Sequence, residues 1–123
     1  MSWNHPQVSR DGFTSSYGRF LTERDRAERV DSATLRSMFL PKLTRLGQKA
    51  LDDQRNFVRN QLQHYGVKFE ERLFFGRGTP LMKQVLQDGR CDTVPPHILK
   101  LEEELHLERL NTQTLESLDR QPD

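Results

Sequence analysis

Apolar positions separated by threes and fours dominate the middle of this chain. Leu43, Leu46, Ala50, Leu51, Phe57, Val58, Leu62 and Tyr65 fall on one face of a helix. Gly47 and the polar residues 52–56 interrupt that face, which predicts a bend or a division into two helices. Gly66 follows the last apolar position and suits the C′ site, where a positive φ is needed. Upstream, Leu35, Met38 and Phe39 form a shorter stripe over 33–40 that Ser32 can cap. Pro41 ends that helix or stands at the first position of the next.

Downstream, residues 67–78 carry Val67, Phe69, Leu73, Phe74 and Phe75, too many apolar groups for a solvated loop. This connection is expected to pack. Gly76-Arg77-Gly78 then supplies a turn, Thr79 a cap and Pro80 an N1 residue, before a helix faced by Leu81, Met82, Val85 and Leu86 and closed by Gly89. A last helical face follows Thr93 and Pro95-Pro96. It runs through Ile98, Leu101 and Leu105, is widened by Leu99, Leu107 and Leu110, and has Glu102, Glu103, Glu104 and Glu108 on the outside. Residues 112–118 add a short final helix.

The ends differ from this. Residues 1–18 are polar and broken by Pro6, Gly12 and Gly18, which reads as a flexible arm. Its aromatics Trp3, Phe13 and Tyr17, with Phe20 just beyond, lie at the surface or form a short docking segment. Residues 19–30 mix Arg with Asp and Glu at spacings that support a solvated helix through i,i+4 pairs. The expected fold is therefore all-α: four or five short helices, a central helix–extended connection–helix, and the N-terminal arm. It divides into an arm at 1–18, one helical domain at 19–119, and a flexible tail at 120–123.

Composition narrows the function. Hydrophobic residues make up 33% and charged residues 30%, which suits a small core with solvated flanks and leaves room for a partner to complete it. The net charge is +1, but residues 1–60 carry +4, residues 61–92 carry +1 and residues 93–123 carry −4. A basic front and an acidic end can bind an anion, each other, or two partners. The overall charge excludes strong, purely electrostatic nucleic-acid binding. Cys91 is the sole cysteine, so no internal disulfide forms. No apolar h-region opens the chain and no run of about 18 apolar residues occurs, so neither secretion nor a membrane span is expected, and the cytosol or nucleus is.

Catalytic and metal chemistry find little to work with. His5, His64, His97, His106 and Cys91 are scattered, with no zinc-finger or HExxH spacing. Cys91 lacks an oriented base, and the glutamates at 102–104 and 108 form a charge run of the kind that faces water. No cofactor signature is present.

The turn at residues 76–79 has more to offer. It sets backbone N–H groups, a hydroxyl and an arginine at a helix N-terminus, a geometry that attracts phosphate, although the GxxxxGK[ST] spacing of a P-loop is absent. With Val58, Leu62, Tyr65, Gly66 and Val67 in the first half, and Gly76, Arg77, Thr79, Leu81, Val85 and Leu86 in the second, residues 57–89 resemble the SAP motif. That resemblance implies a helical hairpin that binds duplex DNA through phosphates. Position by position, it implies roles for Arg77, Thr79 and Lys83, with Lys68 and Arg72 beside them. Two functions are carried forward: a non-catalytic duplex-DNA-binding module, and a small helical protein-interaction subunit whose apolar connection or C-terminal helix meets another protein. A contiguous cationic face around Arg77 favours the first, and an exposed apolar patch favours the second.

Overall fold

The computed structural model describes residues 7–16 and 18–119. Trp3, Tyr17 and the 120–123 tail lie outside the described residues. The fold is mixed α/β rather than all-α: a three-stranded antiparallel sheet accompanies five helices. The chain divides into two compact units, one containing the described residues up to Glu28 and those from Leu99 onward, the other Arg29–Ile98.

The sheet unit occupies ground that the apolar pattern assigned to a flexible arm and a charged helix. Strands β1 (Gln7–Arg10) and β2 (Phe13–Ser16) pair with Arg10 opposite Phe13, so Asp11-Gly12 alone makes the turn. Both turn residues have positive φ, 55° and 88°, the conformation that lets a two-residue turn match the twist of its strands. Strand β3 (Arg19–Thr22) pairs with β2 in turn, Ser16 opposite Arg19.

Beyond β3 the charged residues fold back instead of forming a helix. Arg26 takes φ 54°, the Thr22 amide donates to the Ala27 carbonyl at 2.9 Å, and Leu21 pairs with Glu28. The Ala27 amide donates to Thr22 Oγ1 at 3.0 Å. β2 is buried along its whole length, although Thr14, Ser15 and Ser16 are polar. Its backbone is satisfied on both edges by β1 and β3, which is why a strand without apolar alternation persists there. Phe13, Leu101 and Leu105 form the unit's small core, with Val8 and Phe20 at its margin and the Phe13 and Phe20 rings stacked at 4.7 Å. Arg10 reaches Glu104 at 3.5 Å and also pairs with Glu108, both on helix α5 (Pro96–Asp119).

The helical unit follows the apolar pattern closely. Helix α1 (Ser32–Phe39) is capped by Asp31, one residue earlier than Ser32: its carboxylate accepts from the Thr34 amide at 3.0 Å and the Thr34 hydroxyl at 2.7 Å. The long apolar face is divided between α2 (Arg45–Asp53) and α3 (Phe57–His64). Gly47 serves a different end from weakening the helix. A Cβ there would stand 2.4 Å from the Met38 carbonyl oxygen, so glycine lets α2 approach α1.

Leu35, Phe39, Phe57, Leu62, Met82 and Leu86 are essentially inaccessible, each contributing about 1.5–3 kcal/mol of burial. Two polar contacts bridge this core: the Tyr65 hydroxyl donates to the Val30 carbonyl at 2.6 Å, and the Val30 amide donates to Gln61 Oε1 at 2.8 Å. Helix α4 (Thr79–Gln87) is tied down at its C-terminal end by Arg36, which donates to the Leu86 carbonyl at 3.0 Å and to Asp92 at 2.7 Å. No helix among the described residues is long and apolar enough to cross a membrane.

Candidate functional site

The segment between α3 and α4 sends its large apolar side chains alternately to core and to solvent within a few residues. It begins at a left-handed Gly66, φ 66°. There the Gly66 amide donates to the Gln63 carbonyl and the Val67 amide to the Leu62 carbonyl, a Schellman closure of α3. Val67 then turns into the core. Phe69 and Phe74 lie half-buried with ring centroids 5.7 Å apart, on either side of a 3₁₀ turn at Glu71–Leu73.

Arg59 on α3 organises this turn. Its guanidinium lies 3.9 Å from the Phe74 ring centroid and 5.8 Å from that of Phe69. It also donates to both carboxylate oxygens of Glu71 at 2.8 Å. Stacking and a bidentate fork together demand a planar cation, which lysine does not supply. The pairing with Arg59 holds the Glu71 carboxyl below its usual range. Beside these charges two large apolar side chains face outward: Leu73 is 41% exposed and Phe75 62%.

At the far end, Gly78 is buried with φ 91° and serves as the N-cap of α4. A Cβ there would meet the Phe74 ring at 2.7 Å and Val58 at 2.8 Å, so only glycine fits. The residue expected to cap, Thr79, is instead the first helical residue, and no side chain caps α4. A groove of about 460 Å³ runs between the connection and α4, lined by Phe69, Leu73, Leu81 and Val85, with Lys68, Glu70, Gln84, Asp88 and Arg90 around it. Arg90 donates to the Lys68 carbonyl at 3.2 Å.

The five residues implied by the SAP resemblance fare differently from one another. Arg77 donates to Asp52 on α2 at 2.7 Å, and that contact, with one from Gln48, holds the Asp52 carboxyl below its usual range. Arg72 pairs with Glu70 at 2.7 Å. Thr79 is half-buried in the first turn of α4, and Lys83 half-buried one turn on. Lys68 is exposed and is the one member of the set that lines the groove.

Arg59, Glu71 and Asp52 escaped the sequence reading, and Gly78 was read as part of the turn rather than as the N-cap. The cue for Arg59 was an arginine on the apolar helix preceding an aromatic-rich connection. For Asp52 no local cue exists, since its partner stands 25 residues away. Cys91 is inaccessible, and burial pushes its thiol up to about 11, leaving it protonated at neutral pH. Among the described residues no group of three or more His, Cys, Asp or Glu side chains converges as a metal site.

No protein-family model, curated protein or solved structure matches this chain.

Proposed function

We propose that the chain is a non-catalytic protein-interaction module and that residues 67–78 are its docking surface. The observation that carries this is the presentation of Leu73 and Phe75 to solvent on a connection whose backbone is braced by Arg59, Phe69 and Phe74. Large apolar side chains held in place before binding lose little entropy when a partner covers them, which is the usual character of an interface anchor. The charges around them lean the same way. Arg59, Arg72 and Arg77 are each matched by a carboxylate within 3 Å, so this surface is locally balanced rather than cationic.

Duplex DNA remains the second reading, favoured by one feature: the N-terminus of α4 has no side-chain cap. A phosphate there would have to draw Arg77 away from Asp52.

The two readings separate in one experiment on the full-length protein. Capture from lysate is compared for wild type, a Leu73→Asp/Phe75→Asp variant and Arg77→Glu, with and without nuclease, alongside duplex binding at low salt. The interaction reading expects nuclease-resistant capture that the double variant loses and Arg77→Glu keeps. Capture abolished by nuclease, with salt-dependent duplex binding lost in Arg77→Glu, overturns it in favour of DNA.

A further inference from the structure

Helix α5 is apolar on two sides, and among the described residues only one is covered. Leu101 and Leu105 are buried in the sheet unit's core. Leu99, Leu107 and Leu110 are 49%, 51% and 39% exposed. Leu99, Glu103, His106 and Leu110 follow one another at spacings of four, three and four, the d-a-d-a seam of a heptad, and all four are exposed. Neither Glu103 nor His106 has a partner among the described residues.

From these observations we infer that this face pairs with the same face of a second copy, the two α5 helices running antiparallel. The argument is self-complementarity. About a two-fold axis passing between Glu104 and Leu105, Leu99 of one copy meets Leu110 of the other, and Glu103 meets His106. All four layers are then matched, leucine on leucine outside and a carboxylate acceptor against an imidazole N–H donor at the centre. A parallel arrangement would stack glutamate on glutamate and histidine on histidine, so the sequence selects direction as well as partner. Leu107, 51% exposed, stands next to His106 at the edge of the seam and widens the apolar strip. Such a contact is isologous and closed, giving a dimer rather than a filament. Twelve residues of helix span about 18 Å, so the association is weak, with a dissociation constant of about 10 μM to 1 mM. The inference does not rest on the docking role proposed for residues 67–78, and it uses a different surface.

Sedimentation equilibrium of the full-length protein, up to about 1 mM, tests it. Wild type should approach the dimer mass. Glu103→Arg and His106→Glu should each weaken self-association by about tenfold, the first by removing the carboxylate that accepts from the facing imidazole, the second by setting two carboxylates face to face. An equimolar mixture of the two variants should recover wild-type affinity as a heterodimer. In that pairing the introduced arginine of one chain faces the introduced glutamate of the other, and the remaining His106 faces the remaining Glu103. Leu110→Asp should leave a monomer, and Leu73→Asp/Phe75→Asp should dimerise as wild type does. Circular dichroism of each variant checks that these surface changes leave the helices intact. A wild type that stays monomeric throughout, or folded charge variants that fail to rescue one another, overturns the antiparallel pairing.

Discussion

Phe57 in the helical unit and Phe13 in the sheet unit are both buried, at 1% and 4% exposure, yet they sit in cores of different kinds. Around Phe57 the core draws on α1 to α4 and on the connection, with Phe39, Val58, Leu62, Met82 and Leu86 all closed to solvent. Around Phe13 it consists of Leu101 and Leu105, with Val8 and Phe20 only partly covered. The central strand of that unit buries Thr14, Ser15 and Ser16, groups that gain little by leaving water: Thr14 Oγ1 donates to the Val8 carbonyl at 3.2 Å, while Ser16 Oγ finds no partner among the described residues. The helical unit is thus held by apolar burial. The sheet unit relies more on backbone pairing, tight turns and ion pairs such as those of Arg10.

The sharpest way to break this contrast is to hollow out each core in turn. Phe57→Ala should cost about 3–5 kcal/mol, and Leu105→Ala about 2–3 kcal/mol, because the smaller core leaves fewer neighbours around the cavity. Urea denaturation gives the totals, and amide hydrogen exchange shows where they fall. Phe57→Ala is expected to strip protection from α1–α4 and spare β1–β3, with Leu105→Ala doing the reverse. Equal loss of protection everywhere in both variants would mean that the two units unfold as one.

The same contrast explains what could be read from the residues beforehand. Burial leaves a periodic trace, so the apolar faces through Leu35, Leu62 and Val85 could be read, as could the left-handed closures at Gly66 and Gly89. Backbone pairing leaves almost none. In β2 a single apolar residue precedes three polar ones, and the cue to the sheet was the Asp11-Gly12 pair, a two-residue hairpin signal inside a stretch that otherwise reads as polar and broken. The site shows the same limit. The apolar character of the 67–78 connection is visible in its composition, whereas its bracing by Arg59 and the neutralisation of Arg77 by Asp52 come from tertiary contacts with no local spacing. The N-cap of α4 was misplaced by one residue, because a buried glycine with φ 91° takes the position expected of Thr79.

A pair of glycines, one from each unit, sharpens the comparison at a smaller scale. Gly78 and Gly18 both have positive φ, 91° and 79°, so alanine is strained at either position. At Gly78 the new Cβ also strikes Phe74 and Val58, while at Gly18 it meets nothing within 4 Å. Gly78→Ala is therefore expected to cost about 2–4 kcal/mol, backbone strain and overpacking together, and Gly18→Ala about 1–2 kcal/mol from the backbone alone. Thermal or urea melts of the two single variants are sufficient. Equal costs would show that the packing of Phe74 on Gly78 is loose, weakening the case for a connection braced before it binds.

The smallest expected effect is electrostatic and belongs to the helical unit. Asp31, held by the Thr34 hydroxyl and amide, Asp52, held by Arg77 and Gln48, and Glu71, held by Arg59, all have carboxyls below their usual range. A carboxyl whose folded value lies below its unfolded value of about 4 releases its proton more readily in the folded chain. Its stabilising contribution is complete above that unfolded value and is lost as the pH falls through the folded one. The helical unit should accordingly show a flat urea midpoint at mildly acidic and neutral pH and a decline below about pH 4. All three carboxylates are exposed to solvent, so water and salt screen them and the decline should be shallow and diminished by added salt. Glu71→Gln and Asp52→Asn together should flatten it further without changing the amide protection of β1–β3. An unchanged acid slope in that double variant would show that the pairs around the connection add nothing to its stability, leaving the Phe69, Phe74 and Arg59 stacking as its support.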